Sequence, residues 1–403
     1  MIKQKVLFVF LLFLACILLP GTNDVITLKT ENMDEVVGIS SFLMNTKGEI
    51  FLFSSQVSKV FKFRSDGTFD KSFCRRGEGP GEVNRVFSMF SNPVNDYLYL
   101  PEYVSGGKGR ITMYDSDGHY QGLLTPDVSR EHLDRVWKII FLKDGSYILI
   151  TNERVDWEPV GKFFITRNEI WARYFKPDGQ LISSLYKTKT IDELSHAPRY
   201  GGPQILFKPT VFIKLTPDEE IAVSKNDENE ISIYDIAGKK IRTITLDIPR
   251  EKLSNAEFQE AKKGLIKAFE KEAGSRMHYL AKNMIKLDFK PIYWGQFLIS
   301  DYVILARLEG QDDYGFPKKT RLLLFTWEGK KVGEKVFPGA VYGIKNGRVF
   351  IVTFDDEGNE HFKIQSNSLK TETRDDEKQT NYSRDSFPYY GFIKYEVAGR
   401  SEI

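Results

Sequence analysis

The sequence predicts an all-β protein, a six-bladed β-propeller of four-stranded antiparallel blades with a helical insertion between blades 4 and 5. Two recurring turns define its repeating unit, and a final unit that lacks one strand indicates how the ring closes. We expect three parts: a signal peptide or lipoprotein signal at residues 1–21, the propeller at 24–369 with its helical insertion at 249–287, and a partly flexible, initially charged C-terminal tail at 370–403.

The first recurring turn places a glycine between two strand-like runs. The run before each glycine mostly alternates, with one apolar face, so each turn is predicted to be a tight hairpin in which glycine supplies a positive φ. The five turns are Ser65-Asp66-Gly67, Ser116-Asp117-Gly118, Pro177-Asp178-Gly179, Ile236-Ala237-Gly238 and Trp327-Glu328-Gly329.

A second turn lies one hairpin earlier, which gives four strands per unit. These turns are Lys47-Gly48, Pro93-Val94-Asn95-Asp96, Asp144-Gly145, Pro217-Asp218 and Asn346-Gly347. The sixth unit, from residue 341 to about residue 369, has only three clear strands. We expect residues 25–28 to supply the missing outer strand, with 393–397 as a weaker candidate, because closing the ring removes exposed strand edges.

The first 20 residues have the pattern of a secretory signal. Lys3 and Lys5 precede an uncharged apolar run at residues 6–19, which is short for a membrane-spanning helix. We therefore expect an extracytoplasmic protein, located in the periplasm, in the cell envelope or outside the cell. Cys16 follows Phe-Leu-Ala, which partly resembles the lipobox of bacterial lipoproteins, so lipidation of Cys16 is a further hypothesis.

The charge balance argues against nucleic-acid binding. The chain has 57 Lys and Arg against 55 Asp and Glu, whereas phosphate contacts need clustered positive charge. Removal of Lys3 and Lys5 with the signal would leave the mature chain formally neutral. We expect membrane contact only through the N-terminal signal or a lipid anchor, and we expect a monomer.

The insertion at 249–287 is predicted to be helical. Apolar residues such as Leu253, Leu265 and Phe269 recur at helical spacing among charged residues. Ser254 is placed to cap the first helix, with Glu257 three residues later. The amphipathic pattern favours packing against a blade or over the channel mouth, and a lid or partner-docking helix is the alternative.

Residues 74–83 read CRRGEGPGEV and follow the outer strand of the first unit. Here the chain resembles NHL-type repeats and, more closely, exported bacterial six-bladed propellers whose first blade ends in a Gly-x-Gly-Pro-Gly-Glu signature. The resemblance implies the fold and export, but little about function, because that family is mostly uncharacterised. A phosphate loop would continue with Gly-Lys-Ser/Thr, which is absent here, so we predict a turn between blades.

Loop length distinguishes the two faces of the predicted propeller. Loops between second and third strands, and connections between blades, open on one face, which we call the long-loop face; the remaining turns form the short-turn face. The long segments on the first face are 102–109, 152–167, 187–209, 247–290 and 308–319. Long loops on a rigid scaffold indicate a binding face. The candidate ligand-binding residues there, chosen as aromatic and charged side chains, are Arg154, Trp157, His196, Arg199, Tyr200, Asp312 and Tyr314.

Our leading functional hypothesis is an exported, non-catalytic binding or interaction propeller that needs no cofactor and holds a protein, peptide or carbohydrate. The sequence has no Gly-x-Ser-x-Gly, His-Glu-x-x-His or Cys-x-x-Cys motif, so we assign no catalytic residue and no metal ligand. The alternative is a divalent-metal-dependent hydrolase, lactonase or lyase with its site in the central channel, since ligands from separate blades leave no spacing signal. The channel-lining candidates are Asn45, Ser88, Lys138, Lys214 and Trp294, which are not an acidic set.

Overall fold

The structure is a computed structural model that describes most of the chain between residues 25 and 365. The described residues are 25–28, 36, 39–86, 88–102, 109–128, 133, 136–160, 163–195, 210–260, 262–263, 286, 288–311, 317–345, 348–354 and 360–365. The predicted signal at 1–21, the tail at 370–403 and the strand candidate at 393–397 lie outside them.

The described strands form six four-stranded antiparallel sheets, each of which is one blade. Blade 1 consists of β2 (Ile39–Met44), β3 (Ile50–Ser54), β4 (Lys59–Phe63) and β5 (Phe69–Phe73). Blade 2 consists of β6 (Phe90–Ser91), β7 (Leu98–Glu102), β8 (Arg110–Tyr114) and β9 (Tyr120–Leu124). Blade 3 consists of β10 (Val136–Phe141), β11 (Tyr147–Val160), β12 (Phe163–Phe175) and β13 (Leu181–Ser195).

The other three blades repeat the same order, and the last one uses a strand from the beginning of the chain. Blade 4 consists of β14 (Val211–Leu215), β15 (Ile221–Lys225), β16 (Glu230–Tyr234) and β17 (Lys240–Thr245). Blade 5 consists of β18 (Gly295–Leu298), β19 (Val303–Gln311), β20 (Pro317–Phe325) and β21 (Lys331–Pro338). Blade 6 consists of β22 (Ala340–Lys345), β23 (Arg348–Phe354), β24 (Glu360–Gln365) and β1 (Val25–Thr27).

Buried apolar residues lie between neighbouring blades and hold the ring together. Among the described residues, each of six hydrophobic clusters joins one pair of adjacent blades, from blades 1 and 2 round to blades 6 and 1. The cluster that closes the ring packs Phe350 and Ile364 of blade 6 against Ile50 and Phe61 of blade 1. Because every blade buries both faces, its strands are apolar on both sides near the centre.

The ring closes as predicted, with the N-terminal strand in the last blade. β1 pairs antiparallel with β24, with Val25 opposite Gln365 and Thr27 opposite Lys363. This pairing satisfies the edge of β24 and places Leu28, which is 4% exposed, in the cluster between blades 6 and 1. A closed ring leaves the blades fewer free edges for pairing with another chain.

The turn glycines have the predicted backbone conformation. Gly67, Gly118, Gly179, Gly238 and Gly329 have φ between +84° and +91°. Each turn also packs closely on the outer strand of the preceding blade. A Cβ at Gly329 would stand 2.1 Å from the Thr245 carbonyl oxygen. Glycine is therefore required there both for its conformation and for its lack of a side chain.

Two segments that are predicted as loops from the sequence are mostly strand. Residues 152–167 lie largely in β11 and β12, which pair from Tyr147↔Phe175 to Val160↔Phe163. Residues 308–319 continue β19 and β20 as far as the Gln311↔Pro317 pair. These strands can continue beyond the core because their backbone N–H and C=O groups pair with neighbouring strands of the same blade.

The insertion between blades 4 and 5 begins as the predicted helix. Residues 255–260 and 262–263 are helical. Ser254 Oγ accepts the Glu257 backbone N–H at 3.2 Å, and the Glu257 carboxylate accepts the Ser254 backbone N–H at 3.1 Å, which is the predicted capping box. Leu253 and Phe258 are buried at its start. Within the described part of the chain, no helix is both long and apolar enough to cross a membrane.

Candidate functional site

The turns of the short-turn face are closed by their own side chains. In five of them an aspartate Oδ1 accepts the backbone N–H two residues later, at 2.9–3.0 Å. These aspartates are Asp66, Asp115, Asp144, Asp178 and Asp235. Such Asx turns fix the backbone of a short connection and use its polar groups internally.

Hydrogen bonds and ion pairs also join neighbouring blades on this face. The backbone N–H and the hydroxyl of Thr46 in blade 1 donate to Asp96 in blade 2, at 3.0 and 2.6 Å. The Lys143 N–H in blade 3 donates to Glu219 in blade 4 at 2.7 Å. The buried Lys62 ammonium lies 3.1 Å from Asp117 of the next blade. Contacts within and between blades therefore brace the short-turn face.

Asn45 belongs to this scaffold, and its prediction as a channel-lining residue is wrong. It is fully buried at the end of β2. Its Oδ1 accepts the backbone N–H groups of Lys47 and Glu49, and its Nδ2 donates to Glu49. These bonds shape the first turn of blade 1 and leave no Asn45 oxygen for a ligand.

The long-loop face carries an extended hairpin in blade 3. Inner strand β10 pairs with β11 only as far as Thr151, whereas β11 and β12 stay paired up to Val160 and Phe163. The third strand, β13, accompanies them to Ser195. Arg154 lies opposite Asn168 in this extension, and Trp157 lies opposite Thr166, on either side of a bulge. Both predicted residues therefore lie in the extended hairpin of blade 3.

A buried polar cluster supports the root of this hairpin. The Arg173 guanidinium donates to the Thr151 hydroxyl at 2.9 Å and to the Glu153 carboxylate at 2.8 Å. Arg173 and Thr151 are both buried, so the pair is shielded from solvent. Because these three residues come from β11 and β12, the cluster locks the two strands together where they leave the core.

Trp171 forms the centre of a second group at the same root. The Arg173 guanidinium lies 4.5 Å and the Lys187 ammonium 4.2 Å from the indole ring. Lys187 also pairs with Glu169 at 2.8 Å, and this hydrogen bond holds the pKa of Glu169 below its ordinary value. This group was not predicted from the sequence, although alternating charged and aromatic residues on adjacent runs indicate paired strands there.

Blade 5 carries the second extended hairpin. β19 continues to Gln311, whereas inner strand β18 pairs with it only at residues 303–306. Arg321 on β20 bridges Glu309 on β19 and Glu334 on β21, which ties three strands together. The predicted residues Asp312 and Tyr314 follow Gln311 in the sequence and lie outside the described residues.

Ion pairs connect the root of the insertion to the blade 5 hairpin. Arg307 donates to Glu251 at 3.1 Å and to the Ile292 carbonyl at 2.7 Å. Lys290 pairs with Glu251 and with Glu257. The hydrogen bond from Lys290, together with those from Ser254, lowers the pKa of Glu257 to about 2. The first turn of the insertion helix therefore has a fixed position on blade 5.

Blade 4 lies between the two raised hairpins and has a short, tightly bonded turn. Asn226 exchanges hydrogen bonds with Thr210 and accepts the Ile292 N–H, so it joins the start of blade 4 to the approach to blade 5. Ser224 donates to Gln296 of blade 5 at 2.9 Å. The described turn of blade 4 is thus short, whereas the hairpins of blades 3 and 5 extend further.

The glycine-rich segment at 74–89 connects blades 1 and 2, in agreement with the prediction of a turn between blades. Arg110 donates to the carbonyls of Glu78 and Glu82 at 2.7 and 2.9 Å. The carboxylate of Glu102, whose side chain is fully buried, accepts from Arg110 and from the Asn84 N–H at 2.8 Å each. The Glu82 carboxylate accepts the Gly79 N–H, which lowers the pKa of Glu82. These residues fix the connection and hold it against blade 2.

Five of the seven predicted ligand-binding residues cannot be compared with the structure. His196, Arg199 and Tyr200, like Asp312 and Tyr314, lie outside the described residues, as does the lipidation candidate Cys16. No side-chain position is described for Arg154 or Trp157. The proposed ligand-binding role of all seven therefore stays a prediction.

Lysines dominate the charged residues of the innermost strands. Lys138 lies on β10 and Lys214, which is buried, lies on β14, and Lys138 donates to the Ile213 carbonyl at 3.2 Å. The other two channel candidates, Ser88 and Trp294, precede β6 and β18 and are half-buried. Among the described residues, no group of three or more His, Cys, Asp or Glu side chains is arranged to hold a metal ion.

Strand order, register and inter-blade cores define this chain as a six-bladed β-propeller. Residues 22–212 match the family model DUF5128, which is described as a 6-bladed beta-propeller. The resemblance to NHL-type repeats stays a prediction. No curated protein matches the chain.

Several solved structures resemble the chain at low sequence identity. A Bacteroides fragilis protein provisionally named as exported has 10% identity and a TM-score of 0.49, with 85% of this chain and 94% of that chain covered. A DUF4221 protein from Bacteroides vulgatus has 14% identity and a TM-score of 0.41, with 81% and 92% covered. The periplasmic gluconolactonase of Pseudomonas aeruginosa has 13% identity and a TM-score of 0.37, with 75% and 73% covered. These similarities assign no activity to the chain.

Proposed function

We propose that this protein is an exported binding propeller that holds a peptide, a carbohydrate or a protein partner on its long-loop face. One observation carries the proposal: the two faces are built differently. The described turns on the short-turn face are four to six residues long and bonded within and between blades, while both extended hairpins and the insertion open on the other side. Ligand sites occur on such variable loops above a rigid scaffold.

The two extended hairpins give the proposed site its walls. Blade 3 and blade 5 rise on either side of blade 4, and buried or ion-paired residues stiffen the root of each hairpin. Because the root of each hairpin is rigid, the hairpin loses less conformational entropy when a ligand binds. The side chains proposed to contact the ligand are Arg154, Trp157, His196, Arg199, Tyr200, Asp312 and Tyr314.

Export is proposed from the N-terminal pattern. Two lysines precede an uncharged run of 14 residues at 6–19, which is the arrangement of a secretory signal. We place the protein in the periplasm, in the cell envelope or outside the cell, with a lipid anchor at Cys16 as one form of attachment.

Thermal unfolding across a panel of peptides, sugars, lactones and divalent metals, with and without chelator, tests the proposed function. A compound that binds the folded state raises the unfolding midpoint by mass action. We expect a peptide or sugar to raise it, and replacement of Trp157, Arg199 and Tyr200 by alanine to abolish that shift. A control variant replaces Lys47, Lys239 and Lys330, which are exposed on the short-turn face, and should keep it.

Two results would overturn the binding hypothesis. A midpoint that falls with chelator and recovers with one divalent metal would favour a metal-dependent enzyme with its site in the channel. An equal loss of the ligand shift in both triple variants would show that the long-loop face does not hold the ligand.

A further inference from the structure

The first strand determines where the N-terminal segment leaves the propeller. β24 is the third strand of blade 6 and, like every third strand, it ends on the short-turn side. β1 runs antiparallel to it, with Val25 opposite the last residue, Gln365. The chain therefore enters β1 where the other five blades have the turn between their third and fourth strands, at the rim of the short-turn face.

Packing fixes this point of attachment. Leu28 is buried in the cluster between blades 6 and 1, and Ile26 packs against the same cluster. Blade 1 also approaches β1 closely, since a Cβ at Gly67 would stand 2.6 Å from the Thr27 carbonyl oxygen. The start of β1 thus cannot move to the other face without opening the ring.

The N-terminal segment is too short to allow the long-loop face to lie against the membrane. Cys16 lies nine residues before Val25, and nine extended residues span at most about 30 Å. For the long-loop face to lie against a bilayer, the segment between the membrane anchor and Val25 would have to span the height of blade 3. β11 alone has 14 residues, which correspond to about 46 Å of strand. A tether at Cys16 or within the apolar run at 6–19 therefore keeps the short-turn face nearer the membrane.

The charge of the short-turn face opposes direct adhesion to anionic lipid. Its turns at 45–49, 64–68, 92–97, 115–119, 142–146, 176–180, 216–220, 235–239, 299–302 and 326–330 contain 13 Asp and Glu against six Lys and Arg. Lys62, Lys71 and Arg242 on adjacent strands pair with turn carboxylates and offset part of this excess, but the turns carry no surplus of positive charge that would attract an anionic surface. The tether alone would then hold the protein at the membrane.

We propose that the N-terminal segment tethers this propeller to a membrane at the rim of its short-turn face, so that the long-loop face points away from the bilayer. The orientation rests on the proposed export and gives the proposed binding face access to partners beyond the membrane. Its test needs no ligand, so its failure is distinguishable from a failure of the proposed function.

Energy transfer from single fluorescent labels to a headgroup acceptor in isolated membranes measures this orientation. The full chain is produced in an exporting bacterial host, and cysteines are introduced in matched pairs on one blade: Lys47→Cys with Gln56→Cys in blade 1, and Lys239→Cys with Glu228→Cys in blade 4. All four positions are exposed. Cys74 is a suitable silent background, because burial raises the pKa of its thiol to about 12.

We expect transfer from Lys47→Cys and Lys239→Cys to be about two-fold higher than from their partners, since a five-residue strand separates the faces by about 17 Å. The Cys16→Ser variant distinguishes two tethers: it releases an acyl-anchored protein and leaves one held by its apolar run in place. Equal transfer, stronger transfer from Gln56→Cys and Glu228→Cys, or recovery of the full chain free of membranes would overturn the proposal.

Discussion

Gly329 and Gly145 share one backbone conformation and differ in their surroundings. Their φ values are +87° and +83°. A Cβ at Gly145 would meet only Pro177 Cγ at 3.8 Å, whereas one at Gly329 would stand 2.1 Å from the Thr245 carbonyl oxygen of the preceding blade. The recurring glycine of the turn before each outer strand is therefore an inter-blade contact as well as a turn residue.

Replacement of these two glycines by alanine separates the two requirements. We expect Gly145→Ala to lower the free energy of unfolding by about 1–2 kcal/mol, the cost of a left-handed conformation. Gly329→Ala should lower it by about 2–5 kcal/mol, because the backbone of blade 4 must also shift. Denaturant unfolding of both variants measures the difference, and equal losses would mean that the close approach does not matter.

Glu102 is the second residue whose role follows from its contacts. Its fully buried carboxylate pairs with Arg110, which holds the connection between blades 1 and 2. We expect Glu102→Ala to cost about 3–5 kcal/mol of unfolding free energy, since it leaves the arginine without its buried partner. Exposed Glu78 is the matched control, and Glu78→Ala should change stability by less than about 0.5 kcal/mol. Equilibrium unfolding decides, and similar values for both variants would contradict the assigned role.

At the scale of elements, the insertion depends on its first turn. Glu257 caps the helix through Ser254 and pairs with Lys290, and these bonds lower its pKa to about 2. Because the folded-state pKa is lowered, this stabilisation is fully present above the ordinary glutamate pKa of about 4.3. It is lost as the pH falls through about 2.

The Glu257→Ala variant tests this capping interaction. At neutral pH we expect faster hydrogen exchange at residues 254–258 than in the parent chain, because the variant lacks the carboxylate that accepts the Ser254 N–H and pairs with Lys290. The difference should shrink near pH 2, where the parent carboxylate is itself protonated. Glu260→Ala, an exposed change in the same helix, should leave exchange at the first turn unaltered. A difference that persists undiminished at low pH would argue against the carboxylate.

At the scale of the whole molecule, closure of the ring depends on the three residues of β1, Val25–Thr27. The test compares a chain that starts at residue 23 with a chain that starts at residue 29 and lacks β1. The shorter chain exposes the edge of β24 and loses buried Leu28, so we expect a lower unfolding midpoint and concentration-dependent association. Thermal unfolding and light scattering measure these effects. Identical behaviour of the two chains would show that β1 is dispensable.

Most of the fold could be predicted from the sequence because local chemistry repeats in it. A glycine with a positive φ marks the hairpin turn before the outer strand in each of blades 1–5, and the three-stranded last unit requires a strand from elsewhere. The capping box at Ser254 and Glu257 is likewise local. What the sequence could not show is how far strands continue beyond the core, because Arg154 and Trp157 lie in a polar segment that lacks the apolar alternation of a packed strand.

The sequence predicts which face carries the candidate site, but not which side chains meet there. Loop lengths distinguish the two faces, but side chains that meet there come from different blades and have no fixed spacing. Asn45 illustrates the limit: its position at the end of an inner strand suggested the channel, while its side chain closes the adjacent turn. Trp171 and Lys187 were missed because their contact arises from strand pairing between residues 16 positions apart.

Hydrogen exchange of the mature protein with and without the compound that most raises its unfolding midpoint tests the central claim, that the long-loop face binds the ligand. We predict slower exchange in the extended hairpins of blades 3 and 5, at residues 152–170 and 307–320, and unchanged exchange in the turns of the short-turn face. Protection confined to those turns, or to the innermost strands around the channel, would contradict the account.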